Sequence, residues 1–414
     1  MNNALNQHKF QHITIPSRSK NLSRRETLRY ALAALGMAVG SPLLSGCSDS
    51  SDSDTSGETG PLWGELQAPD ENGVALPAGY TSRIVARSSQ AVEGTDYVWH
   101  NAPDGGACFD AGDGGWIYVS NSEQFVEGGG SVSAIRFDAN GSVVDAYNIL
   151  SDSTANCAGG KTPWGTWLSC EEKFIGDGLG LVYECDPFGE QAAIPRPAMG
   201  LFAHEAVAVD DVMQHLYLTE DRPDGKLYRF TPDNYPDLSS GLLEVAEVIG
   251  DPLSGASLTW HVIEDPTGAS EQTRYQVEAS TDFDGGEGIV FSDGVIFFAT
   301  KGDNRIWSYD TVGNLLEVLY DDDFFEEPVL AGVDNITIAP SGEIYVAEDG
   351  DDMQLVALTR TGEPFPIAQV VGQDDSEITG PAVFGNRLYF SSQRGTGSFI
   401  GDSGITYEIT GDFG

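Results

Sequence analysis

The sequence predicts an all-β protein, a six-bladed β-propeller with an insertion between its third and fourth blades, on three observations. A short apolar strand ending in polar residues recurs at intervals of about fifty residues. Other short strands rich in aromatic and β-branched residues flank each copy. Beyond Gly60 no long stretch carries a helical period.

The recurring strand reads IYVSN at 117–121, WLSCE at 167–171, LYLTED at 216–221, IFFATK at 296–301, IYVAED at 344–349 and LYFSSQ at 388–393. Several copies turn through a Gly/Asp-rich loop into a further strand, as at 181–183, 226–230, 305–309 and 405–409. Several are preceded by another apolar strand, at 205–209, 288–291 and 335–338. Units of this kind, with several strands and no helices between them, pack radially as propeller blades, which leaves only short protected edges. The one long interval, from Glu220 to Thr300, contains a Pro- and Asp-rich stretch at 231–284, which reads as the insertion, with a seventh, poorly matching blade as the competing reading.

The propeller is expected to span 61–414, because what precedes it cannot pack. A basic, polar stretch from His8 to Arg25 leads into an apolar run, 31–39, too short for a comfortable membrane span. The pair Arg24-Arg25 directly before that run addresses the twin-arginine export pathway. Leu44-Ser45-Gly46-Cys47 then ends it as a lipoprotein processing site would, which makes 1–46 a signal and Cys47 the residue that receives a lipid. The Ser/Asp-rich segment 47–60 lacks the apolar residues needed for a core and reads as a flexible tether. The expected location is therefore outside the cytoplasm, periplasmic or at the cell surface, with membrane contact only through Cys47.

The net charge of −43 excludes nucleic acid as a partner, and removing the basic leader makes the chain still more acidic. Uncompensated carboxylates would repel one another in the compact state, so such a chain suits bound cations or high salt, and it is expected to act as a monomer. Cys108, Cys157, Cys170 and Cys185 are too few for a disulfide scaffold, and the fold must rest on a hydrophobic core.

In a propeller the equivalent loop positions of all blades ring the central channel. The aligned strand ends bring Glu123, Cys170, Glu171, Glu220, Asp221, Glu348 and Asp349 to that ring, and the preceding inner strands begin with Glu205, Glu287 and the pair Asp334-Asn335. Carboxylates gathered without cations would raise one another's pKa strongly, and hard divalent cations with oxygen ligands resolve this, calcium more readily than magnesium. Cys170 is the odd member: a thiolate is a soft ligand and points to a transition metal beside calcium, unless it is a buried structural thiol.

The run NCAGGKTPWGTWLSCEE at 156–172 closely resembles the signature of the PhoX-type alkaline phosphatases, as do FAHEAVAV at 202–209, YLTED at 217–221 and FSSQRG at 390–395. The resemblance implies a six-bladed propeller with a cluster of calcium and ferric iron on its axis, exported folded, that cleaves phosphate monoesters. It implies an iron-ligand role for Cys170 and bridging or calcium-ligand roles for Glu171, Glu205, Glu220 and Asp221.

For phosphate itself Arg394 is the first candidate, because its planar fork matches two oxygens in a chain poor in arginine. Lys161, Arg222 and Lys301 follow, and His204, next to Glu205, is a candidate proton donor. Two other classes compete: a calcium-dependent propeller lactonase, which needs no thiolate, and a non-catalytic ligand-binding lipoprotein.

Overall fold

The computed structural model describes residues 63–173, 180–350, 352–397 and 401–413. The leader pair Arg24-Arg25, Cys47 and the tether lie outside the described residues.

The fold is all-β and propeller-like. Among the described residues the only helices are three single 3₁₀ turns, Pro197–Met199, Thr273–Tyr275 and Asp322–Phe324. None is long and apolar enough to cross a membrane.

The recurring strand is the second strand of an antiparallel meander each time, and it is buried on both faces. Within His215–Glu220, Leu216 and Leu218 enter one core cluster while Tyr217 enters the next. Within Ile344–Glu348, Ile344 and Val346 face one cluster, Tyr345 and Ala347 another. A strand packed between two neighbouring sheets must be apolar at every position, which is why these segments read as continuous hydrophobic runs rather than as alternating ones. Burying each such large side chain stabilises the fold by about 1.5–3 kcal/mol.

Five sheets result. Two are plain meanders: Pro103–Asp110 to Val143–Ser153, and Asn156–Lys161 to Ile194–Pro195. A third runs from Val333–Ile338 to Pro364–Val370 and gains Val74–Ala75 on its outer edge. A fourth joins Ile378–Phe384, Arg387–Ser392 and Ile405–Thr410 to Thr81–Arg87 from the start of the folded body, so the two chain ends close one sheet.

The fifth sheet departs from expectation. Its nine strands comprise two meanders, beginning with His204–Asp210 and Gly286–Ser292, fused through Ala256–Val262. On one side that strand pairs along its whole length with Asp237–Gly250; on the other it makes the single pair Ala256↔Leu316. The stretch expected to be a plain insertion thus supplies the outer strand of one meander and the joint to the next. Alternating apolar residues such as Leu243, Val245, Leu258 and Trp260 within the Pro/Asp-rich composition make those strands.

The first strands of the meanders, Pro103–Asp110, Asn156–Lys161, His204–Asp210, Gly286–Ser292, Val333–Ile338 and Ile378–Phe384, pack side by side in chain order, and the last returns to the first. They surround one central channel.

Candidate metal centre

Each inner strand starts with a β-bulge. Pro103 pairs with Ser122, Asn156 with Glu171, His204 with Glu220, Gly286 with Thr300 and Val333 with Glu348, and the register then slips before pairing resumes three residues on. The first residue of each slip is Asp104, Cys157, Glu205, Glu287 or Asp334. A bulge leaves a residue out of the ladder and re-aims its side chain. Here it turns five chemically active side chains toward the axis. The sixth inner strand has Thr379 at this place, whose hydroxyl donates to Pro103 O at 2.8 Å.

A second tier stands over the first. The residue following each of those pairing partners is Glu123, Glu172, Asp221, Lys301, Asp349 or Gln393. Each donates its backbone N–H to the carbonyl just before the inner strand, of Ala102, Ala155, Ala203, Gly285, Gly332 and Glu377 respectively. One repeated hydrogen bond therefore sets all six side chains above the bulges.

Three sets of ligand atoms lie within 4.8 Å of one another: Asp104 with Glu123 and Cys157, Cys157 with Glu172 and Glu205, and Glu205 with Glu287 and Asp334. Cys157 and Glu205 each belong to two sets, so the three form one chain of candidate cation seats. The Cys157 thiol lies 3.2 Å from Glu205 Oε1. Gln393 Nε2 donates at 2.7 Å to both Asp104 Oδ2 and Glu123 Oε2, holding two of these acids in place.

The electrostatics of the ring disfavour full ionisation of its acids. Burial, reinforced by Glu123 and Asp334, pushes the Asp104 carboxyl well above the usual range. Burial and the neighbouring acids do the same to Glu172 and Glu205. Glu287 rises through burial despite Lys301 beside it, and Asp334 is pushed up to about 6 by burial and Asp349. The Cys157 thiol is raised well above its ordinary value by burial, then by Asp104 and Glu205. These groups cannot all ionise without positive charge between them. The donor set fits metal: the carboxylate triad Glu205, Glu287 and Asp334 suits a hard cation, and the two sets that contain Cys157 suit a transition ion.

Glu123, Glu205 and Glu287 stand in these sets as the sequence suggested, with Asp221 in the second tier and Asn335 beside Asp334, 3.0 Å from its Oδ1. Arg394 follows Gln393 and forms a 2.9 Å ion pair with buried Glu377. Six other residues lie elsewhere. Cys170 shares a face with Leu168, two positions away on the strand, and both are buried in the apolar cluster of Val182, Phe202 and Val207. Strand alternation puts it there, and the thiol in the ring is Cys157.

Glu171 is one residue short of the ring and accepts from the Thr154 and Leu181 N–H groups at 2.9 and 3.0 Å. Glu348 does the same for Ala331 and Gln354. Glu220 is bound by Tyr228 Oη and Arg274 Nη1 at 2.9 and 3.0 Å. These three carboxylates are satisfied by the protein and clamp loops.

His204 points away from its neighbour Glu205, donates its Nε2–H to Gly200 O at 2.9 Å and packs against Phe202; full burial lowers its pKa to about 3, so it is neutral and is no proton donor to the ring. Lys161 sits at the far end of its inner strand, four residues and about 13 Å from Cys157. There it donates to Cys108 O at 2.6 Å and lines a cavity of about 460 Å³ further down the channel.

The ring members not singled out from sequence were Asp104, Cys157, Glu172 and Gln393. Aligning the inner strands instead of the second strands exposes the signal: an acid or cysteine followed by a small residue in PDGG, NCAG, HEAV, GEGI and, with Asn, VDNI.

The family model of alkaline phosphatase PhoX matches residues 139–318, a span that includes Cys157, Glu172, Glu205, Asp221, Glu287 and Lys301. No curated protein matches the chain in sequence. Among solved structures it resembles Pseudomonas fluorescens PhoX in complex with vanadate, a transition state analogue, with a TM-score of 0.66 at 16% identity over 84% of this chain and 98% of that one. It also resembles a Bacteroides thetaiotaomicron protein of unknown function, with a TM-score of 0.50 at 11% identity over 80% of this chain and 76% of that one. In sequence over residues 139–318, and in fold over most of its length, this chain is thus similar to alkaline phosphatase PhoX.

Proposed function

We propose that the protein hydrolyses small-molecule phosphate monoesters at the axial ring, with calcium and ferric iron as its cations. The observation that carries this reading is a buried, mutually destabilising ring of carboxylates around one thiol, on the axis of a fold similar to PhoX. Asp104, Glu123, Cys157, Glu172 and Glu205 would hold iron at the thiol. Glu205, Glu287 and Asp334 would hold calcium. Bound there, the cations supply positive charge to the phosphate oxygens and lower the pKa of a water.

The chain's own groups then have separable tasks. Arg394, held by Glu377, presents a planar fork to two phosphate oxygens. Gln393 fixes the orientation of Asp104 and Glu123. Water forms the new bond to phosphorus, the bond from phosphorus to the ester oxygen breaks, and the leaving alcohol takes a proton from solvent at the open end of the ring. We count the fused nine-stranded sheet as two blades, which makes six around this axis.

The same reading covers the chain's setting: export by the twin-arginine route, a lipid on Cys47, and action as a monomer kept apart from its copies by its negative charge. Replacing Arg24 and Arg25 by Lys is expected to leave the precursor in the cytoplasm, as fractionation would show. The activity is tested by elemental analysis and turnover of a chromogenic aryl phosphate. Protein matured through its own export route is expected to contain iron and calcium and to release phosphate. Metal-replete protein without turnover would refute the enzymatic reading.

A further inference from the structure

Of the six second-tier positions around the ring, five hold an acid or an amide, and the sixth holds Lys301. Its Nζ lies 2.6 Å from Asp221 Oδ2 and 2.6 Å from Glu287 Oε1, two carboxylates supplied by adjacent meanders. Each of the three metal sets likewise bridges adjacent inner strands. The ammonium therefore stands where the pattern of the ring would place a fourth cation.

The backbone is shaped for it. Gly285, at φ +67°, has no side chain, and a Cβ there would meet Lys301 Cγ at 2.8 Å. The lysine stem lies over this glycine, while the Lys301 N–H donates to Gly285 O at 2.8 Å. A residue with a side chain at 285 would be strained in this conformation and would push the stem aside.

We propose that Lys301 is a built-in replacement for a divalent cation between Asp221 and Glu287, which limits the ring to the three seats running from Asp104 to Asp334. The proposal rests on the ring being a metal site.

The test counts bound metal. Full-length mature protein is stripped with a chelator and re-equilibrated with calcium alone at physiological salt, for wild type, Lys301→Glu and Lys301→Gln. Lys301→Glu is expected to bind one more calcium per chain than wild type, because the new carboxylate completes a seat with Asp221 and Glu287. Stripped Lys301→Gln, which has lost the internal cation, is expected to melt several degrees below stripped wild type and to recover when calcium is added.

An unchanged calcium count in folded Lys301→Glu, with Lys301→Gln melting like wild type, overturns the proposal and leaves the metal centre standing. Loss of a metal in Lys301→Gln also overturns it, since Lys301 would then support a metal instead of replacing one. A wild-type protein that binds no divalent cation overturns the proposal and the metal centre together.

Discussion

The two ends of the inner strands differ in what the backbone does. Toward the lower end the ladder is regular, and residues such as Ala107, Gly160, Ala208, Ile289 and Ile336 line the channel with small or apolar groups. At the upper end every strand slips its register, and the same backbones deliver Asp104, Cys157, Glu205, Glu287 and Asp334 to the axis. The regular end keeps its ladder hydrogen bonds. The bulged end gives up ladder hydrogen bonds and gathers acids whose charge Lys301 and Arg394 offset only in part. Chemistry is concentrated where the sheet is interrupted, and the contrast reaches down to neighbouring residues. Glu171 is satisfied by two backbone N–H groups, while Glu172 faces other acids.

The sharpest way to break this comparison uses the two cysteines of one meander. Cys157→Ser, at the bulge, is expected to lower phosphatase turnover about a hundredfold or more, the scale of losing one electrostatic element of a transition state. Iron should be lost with it. Cys170→Ser, in the apolar cluster, is expected to keep its metals and turnover and to lose about 1–3 kcal/mol of stability from burying a hydroxyl. Kinetics and elemental analysis on both variants decide it; the reverse ranking would return the ligand role to Cys170.

A smaller effect follows from pH. In metal-stripped protein the ring carboxyls keep protons in the folded state at pH values where the unfolded chain has released them. The folded state then binds more protons, so stability must fall as pH rises from the ordinary carboxyl range through the raised values of these groups, about 6 for Asp334. Melting temperatures of stripped protein should decline from about pH 5 to 8. Adding calcium and iron should flatten the curve. A stripped protein whose melting does not depend on pH would mean that the ring carries less strain than its packing implies.

The smallest expected effect lies at the regular end. Lys161→Met should change turnover by less than about twofold, as for substitutions remote from a site. A large loss in kcat would show that the lower channel takes part in the reaction.

How much of this could be read beforehand varies with the physical level. Period and strand composition carried the all-β, propeller-like architecture, because a strand buried on both faces must be apolar throughout. At the ends of the second strands the sequence reading of Glu171 and Glu348 stopped one residue short of the ring, while Asp104 and Cys157 on the inner strands were not singled out. The last residue of a second strand, as in Glu171 or Glu348, still belongs to the ladder and turns to backbone donors; the next, as in Glu172 or Asp349, stands over the axis. Bulges leave only a faint mark in a sequence, since what defines them is a change of pairing partner. Cys157 and Cys170 both sat in the run that resembles PhoX, and local chemistry favoured the one beside two glutamates. Only the alternation of the strand tells them apart.

Thr81–Arg87 is paired with Ile405–Thr410, so the last strand of the described body completes the sheet that holds one of its first. Asp104, near the start of the folded body, meets Gln393, near its end, across this seam. Until that sheet closes, Asp104 lacks the Gln393 amide that orients it, so this corner of the ring depends on residues 289 positions apart in the chain.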